Sequence, residues 1–167
     1  MKSHIVQLYL VLFLVYVFTA DTFAVIGNKG LRKPMTSFPV QVDAGWNLIS
    51  LPVTAGSPIK VNLYPTALSP AFAYQEAYIA RETLEVGTGY WMKFGSAQTI
   101  YVEGDTVLES TIHVKTGWNM IGSLSVPIPI SSVLSYPEGI LAPKYFGYDA
   151  GAGGYQESDT IKPGKGY

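Results

Sequence analysis

Gly45-Trp46-Asn47-Leu48-Ile49 recurs as Gly117-Trp118-Asn119-Met120-Ile121, and Gly87-Thr88-Gly89-Tyr90 recurs as Gly164-Lys165-Gly166-Tyr167. A duplicated unit confines the fold to architectures in which one supersecondary unit is laid down twice and the copies cover each other's apolar faces. Subtraction gives the register. Trp118 follows Trp46, and Pro137 follows Pro65, at 72 residues; Phe146-Gly147-Tyr148 follows Phe72-Ala73-Tyr74 at 74; Tyr155 and Tyr167 follow Tyr78 and Tyr90 at 77. The later of the two added steps falls in residues 149–154, whose Gly and Ala content reads as a loop.

The hydrophobic period is two. Val40, Val42, Ala44, Trp46 and Leu48 alternate with Gln41, Asp43 and Asn47, and 72 residues later Ile112, Val114, Thr116, Trp118 and Met120 alternate with His113, Lys115 and Asn119. Such alternation describes a strand with one face buried. It predicts that Trp46 and Trp118 lie in the core. Residues 71–80, 89–94 and 98–103 also read as strand, the last ending at a Gly104-Asp105 turn. Lys162-Pro163-Gly164 suits a type II turn. One short helical turn is expected in each copy, over residues 59–64 before Pro65 and 131–136 before Pro137. The predicted fold is all-β, a sandwich or partly open barrel, built from two pseudo-symmetric repeats of about 72–77 residues.

The N-terminus has a different character. Lys2 and His4 precede an apolar run over residues 5–18, and Thr22-Phe23-Ala24 supplies small residues. This is the order of a secretory signal, with cleavage expected after Ala24; an uncleaved anchor is the alternative. The run is short for a bilayer span, which needs roughly 20 apolar residues. The organisation read from the sequence is a signal peptide over 1–24, a linker over 25–39, a first repeat over 40–111 and a truncated second repeat over 112–167. Copy two stops at the point where copy one continues into Trp91, so an incomplete sheet edge and a piece of a longer protein are expected.

Composition narrows the partners. Charged residues make up 14% of the chain, against about 25% ordinarily, and net charge is −1. Phosphate backbones therefore meet no basic patch, and nucleic acid is not an expected partner. The chain has no cysteine, which removes disulfides, thiolate metal sites and Cys nucleophiles. Export without disulfides fits a bacterial protein.

The Gly-Trp-Asn-Leu-Ile-Ser start at residues 45–50, the central tyrosines and the Gly-Thr-Gly-Tyr-Trp finish at 87–91 resemble repeats of large exported bacterial proteins, many of which carry a sorting domain for type IX secretion. The resemblance covers residues 40–167. It implies an extracellular or cell-surface all-β module of unknown activity, with no catalytic residues to carry over; composition and the missing catalytic pairs make spacer or adhesion work in a larger exported protein, with its neighbouring domains as partners, the expected function. No sorting domain is present in this sequence.

No residue set points to catalysis or to a cofactor. His113 is the one histidine outside the N-terminal segment, on a polar strand face, which leaves a triad or His-metal cluster without material. Glu82 and Asp159 occupy equivalent positions, which indicates a repeated structural task such as a turn hydrogen bond. Glu103-Gly104-Asp105 and residues 149–159 carry oxygen ligands but not the spacing of a calcium loop, so turn and loop are the preferred readings. Residues 147–154 lack the Gly-Lys-Ser/Thr ending of a phosphate cradle. Aromatic rings remain. Flat rings stack on the apolar faces of sugars, and a carbohydrate-binding module is the alternative function, with polysaccharide as ligand and Trp91, Tyr78 and Tyr155 as candidate binding residues. The competing reading buries those rings between sheets.

Overall fold

The computed structural model describes the backbone of residues 4–8, and residues 35–142 and 144–167 in full. Apart from residues 4–8, the expected signal segment and its cleavage point lie outside the described residues, as do 25–34 of the expected linker.

The strands are short, and every pairing among the described residues is antiparallel. In chain order they are β1 (His4–Leu8), β2 (Thr36–Val42), β3 (Gly45–Ser50), β4 (Val53–Thr54), β5 (Ala71–Tyr74), β6 (Tyr78–Arg81), β7 (Gly89–Phe94), β8 (Gln98–Thr106), β9 (Ser110–Val114), β10 (Ile128–Pro129), β11 (Val133–Tyr136), β12 (Tyr145–Asp149), β13 (Gly154–Ser158) and β14 (Thr160–Ile161). One α-helical turn, α1 (Lys60–Leu63), stands in the first repeat, and a 3-10 turn (Ile130–Ser132) stands in the second. The chain is all-β, with open sheets and no closed barrel among the described strands.

In the first repeat two layers face each other, β2-β8-β4 and β3-β7-β5-β6. Val40, Val42, Ile100 and Val102 come from one layer, and Ile49, Tyr90, Met92, Phe94 and Ala73 from the other, into a single core. The period of two holds along β7 and β8: Tyr90, Met92 and Phe94 point in and Lys93 out, while Ile100 and Val102 point in and Tyr101 out. A smaller core belongs to the second repeat, built on Val114, Ile121, Leu124, Ile128 and Ile161, and Val86 packs against both.

Several expectations need correction. Trp46 is 42% exposed and Trp118 78% exposed, so neither indole is core. The alternation predicted otherwise because it was carried through Gly45 and Gly117 as one strand. Both glycines have positive φ, +93° and +95°, which side chains rarely adopt. The chain therefore turns at each of them. In the first repeat this moves it from one sheet to the other, so the phase of the pattern is reset and Asn47 is buried in place of Trp46. β2 begins at Thr36, inside the expected linker. The strand over 98–103 does not stop at Gly104-Asp105; it runs on to Thr106, because Val53 and Thr54 offer it a second partner strand. Residues 71–80 form two strands, β5 and β6, rather than one. In the second copy the helical turn sits at Ile130–Ser132, and 133–136 is extended.

The duplication is visible bond by bond. Asn47 accepts the Asp43 N–H through Oδ1 and donates to the Asp43 and Gly45 carbonyls; Asn119 does the same with Lys115 and Gly117. The Tyr90 hydroxyl accepts the Glu85 N–H as the Tyr167 hydroxyl accepts the Lys162 N–H, both at 2.9 Å. The Glu82 and Asp159 equivalence is structural: their main-chain carbonyls accept the N–H groups of Lys60 and Ile130 at the start of the two helical turns.

The copies are joined by exchange. The 164–166 turn of the second repeat bonds to β3 of the first, with Ser50 donating to Gly164 O and Gly166 to Leu48 O. Reciprocally, Gly122 donates to Gly87 O and Gly89 to Met120 O. Each pair maps onto the other under the offsets of 72 and 77. The joint also holds a buried hydroxyl chain. Ser50 Oγ donates to Lys165 O, which leaves Ser123 Oγ to donate to Ser50 Oγ at 2.7 Å while accepting the Gly164 N–H at 2.8 Å. No buried side-chain polar atom among the described residues lacks a partner, as a packed interior requires.

Candidate functional site

Trp91, Tyr78 and Tyr155, proposed from sequence alone, come together in space. Trp91 sits on the outward side of β7, half-buried. Its ring meets Tyr148 at 4.7 Å between centroids and Tyr155 at 6.2 Å, at interplanar angles of 75° and 83°. Tyr148 and Tyr155 face one another across the β12–β13 hairpin, 5.7 Å apart. Tyr78, on the β6 edge of the other sheet, stacks edge-on with Tyr74 at 5.5 Å. The Tyr155 phenol is pushed above its ordinary range, first by burial and then by Tyr78 and Tyr148, Tyr78 also hydrogen-bonding to it.

These rings fasten the β12–β13 hairpin of the second repeat to the outer face of the β3-β7-β5-β6 sheet of the first. T-shaped contacts of this kind place ring edges on ring faces and add about 0.5–1.5 kcal/mol each beyond burial. What they leave open is an apolar cleft of about 410 Å3 lined by Trp46, Phe72, Tyr78, Trp91 and Tyr148. Tyr78 and Tyr155 are each 58% exposed beside it. A second cleft of about 440 Å3 is lined by Trp118, Phe146, Val114, Leu141, Tyr155 and Tyr167. Aromatic area of this extent on a surface marks a place where something binds or packs.

The other candidates fall elsewhere. His113 is exposed on β9, as its strand face predicts. Glu82 and Glu85 line a polar cleft of about 360 Å3 with Arg81, and both are exposed; an acid catalyst needs the burial that raises a carboxyl. Asp149 Oδ1 accepts the Ala152 N–H inside its own loop, the ordinary task of Asp in a turn. No group of three metal-ligating side chains stands together among the described residues. Sequence reasoning missed Tyr148, Phe72 and Trp46 as members of the aromatic surface. The signal for Tyr148 was its equivalence to Tyr74; for Trp46 there was none before the turn at Gly45 was known.

Comparison adds no relative: no protein-family model, no curated protein and no solved structure matches this chain.

Proposed function

We propose that this chain is a non-catalytic β module of an exported bacterial surface protein, working as a spacer or adhesive surface. The observation that carries the reading is the aromatic cleft lined by Trp46, Phe72, Tyr78, Trp91 and Tyr148. A scaffold needs to bury its rings; this one keeps a contiguous set on the outside, where large flat side chains give contact area at low entropic cost. The leader-like N-terminus and the resemblance to repeats of exported proteins support the location, and neighbouring domains of a parent protein are the first partners to expect.

Carbohydrate binding is the second reading, with polysaccharide laid along the same cleft. Five rings around one groove favour it. The mutual angles of 75° to 83° among Trp91, Tyr148 and Tyr155 count against it, since a flat row of rings suits a sugar chain better.

One experiment separates these. The chain and its Trp91→Ala/Tyr148→Ala variant are passed over surfaces coated with protein or with polysaccharide. Retention on protein that falls about tenfold or more in the variant supports adhesion, on the scale of one lost aromatic anchor. Retention on polysaccharide alone moves the assignment to the second reading. Equal retention of parent and variant removes the aromatic cleft from the function.

A further inference from the structure

The aromatic cleft on the outer face of the β3-β7-β5-β6 sheet offers a ligand hydrogen-bond donors and few acceptors. Its lining is Trp46 from β3, Phe72 from β5, Tyr78 from β6, Trp91 from β7 and Tyr148 from β12 of the other repeat. An indole N–H only donates, and a phenol donates as well as accepts. Among the described residues no acceptor meets the Trp46 or Trp91 N–H, and no partner meets the Tyr148 hydroxyl. No backbone ladder is on offer at the centre of the cleft, because β7 already pairs with β3 on one side and with β5 on the other.

Shape and charge narrow the choice further. Trp91 meets Tyr148 at 75° and Trp46 meets Phe72 at 52°, so the rings wall a slot and do not pave a flat floor. None of the five lining side chains is charged. Lys93 stands beside them: it lies opposite Trp46 in the β3–β7 ladder, two residues from Trp91 on the same face of β7. It is exposed, and no carboxylate pairs with it among the described residues.

We infer, resting on the adhesive reading above, that this cleft takes a proline-rich polypeptide segment of a partner protein, held as a polyproline II helix with an acidic residue toward Lys93. Proline has no N–H, so such a segment presents carbonyl acceptors with few donors, the complement of the indole and phenol groups. A polyproline II helix makes no internal hydrogen bonds and needs no sheet edge. Its apolar rings enter aromatic-lined grooves, and its stiffness keeps the ordering cost low. An α-helix spends its carbonyls on itself and leaves the indoles unmet. A sugar chain brings hydroxyl donors for which the lining side chains have phenol oxygens alone.

The test titrates the full 15N-labelled chain with a capped peptide of repeated Pro-Pro-Ala ending in Glu. The indole N–H signals of Trp46 and Trp91 shift saturably, and a Gly-Ser peptide of equal length and charge leaves them in place. Trp46→Phe keeps a ring and removes a donor, and weakens binding about fivefold, the scale of one hydrogen bond. Lys93→Glu weakens binding of the Glu-ended peptide and strengthens binding of a Lys-ended one. The inference is overturned if neither indole responds at millimolar peptide, if the Gly-Ser peptide acts as well, or if Lys93→Glu does not distinguish the two peptide charges. It is also overturned if a soluble polysaccharide shifts the indoles while the Pro-rich peptide does not. A silent Pro-rich peptide, with protein retention still lost in the Trp91→Ala/Tyr148→Ala variant, removes this partner and leaves the adhesive reading standing; unchanged retention removes both.

Discussion

Trp118 illustrates how a residue's surroundings outrank its type. With its ring 78% exposed, Trp118→Ala is expected to change stability by less than about 1 kcal/mol in urea melts, whereas the same truncation of a core ring costs about 3–5 kcal/mol. Tyr64 is the opposite case. It is fully buried against Phe94, and its hydroxyl donates to Ser50 O at 2.9 Å. Tyr64→Phe should cost about 1–3 kcal/mol by leaving that carbonyl without its donor. Burial also raises the Tyr64 phenol above its ordinary value of 10.0. Below that value folded and unfolded chains both hold the proton, so stability is flat. Above it the unfolded chain ionises first, and stability falls as pH rises. Urea melts across the alkaline range should show that fall, and Tyr64→Phe should make it shallower.

Elements here are defined by where the chain turns as much as by what it contains. The alternation of β2 and β9 was legible, β7 and β8 were legible as strands, and so were α1 and the loop at 149–154. The exit from β2 at Gly45 was not, because a positive φ is a backbone property that leaves no mark in a hydrophobic period. The continuation of β8 to Thr106 was equally hidden, since it depends on β4 lying alongside. The joint between repeats offers a sharp test. A Cβ on Gly122 would meet Thr88 O at 2.6 Å and Thr88 N at 2.8 Å. Backbone cannot yield as a side chain does, so Gly122→Ala should cost about 1–3 kcal/mol or more. Gly56→Ala, where nothing lies within 4 Å, should be close to neutral in the same melts.

For the whole molecule, two cores of unequal size predict uneven stability. The first repeat closes its core with two complete layers, while the second relies on five buried residues and borrowed packing from Val86 and Val107. Amide exchange should therefore be slowest at Ile49, Met92 and Val102 and faster at Val114 and along β12 and β13. Equal protection in both repeats would mean that the reciprocal turn exchange at Gly87 and Gly164 couples them into one cooperative unit. The candidate surface was half legible on this scale. Trp91, Tyr78 and Tyr155 were singled out as exposed aromatics, yet their meeting depends on the hairpin of one repeat folding over the sheet of the other.

The sequence by itself determined that there are two copies of one β unit, which positions correspond, and that no cysteine chemistry is available. Those are properties of order and composition, and they survive any packing. Only the tertiary structure decided which face each tryptophan takes and that the copies trade turns. The reason is physical: local alternation says that a face will be buried, but what buries it is a contact between residues far apart in the chain, such as Val40 and Ile100, set by backbone turns that the hydrophobic pattern does not record.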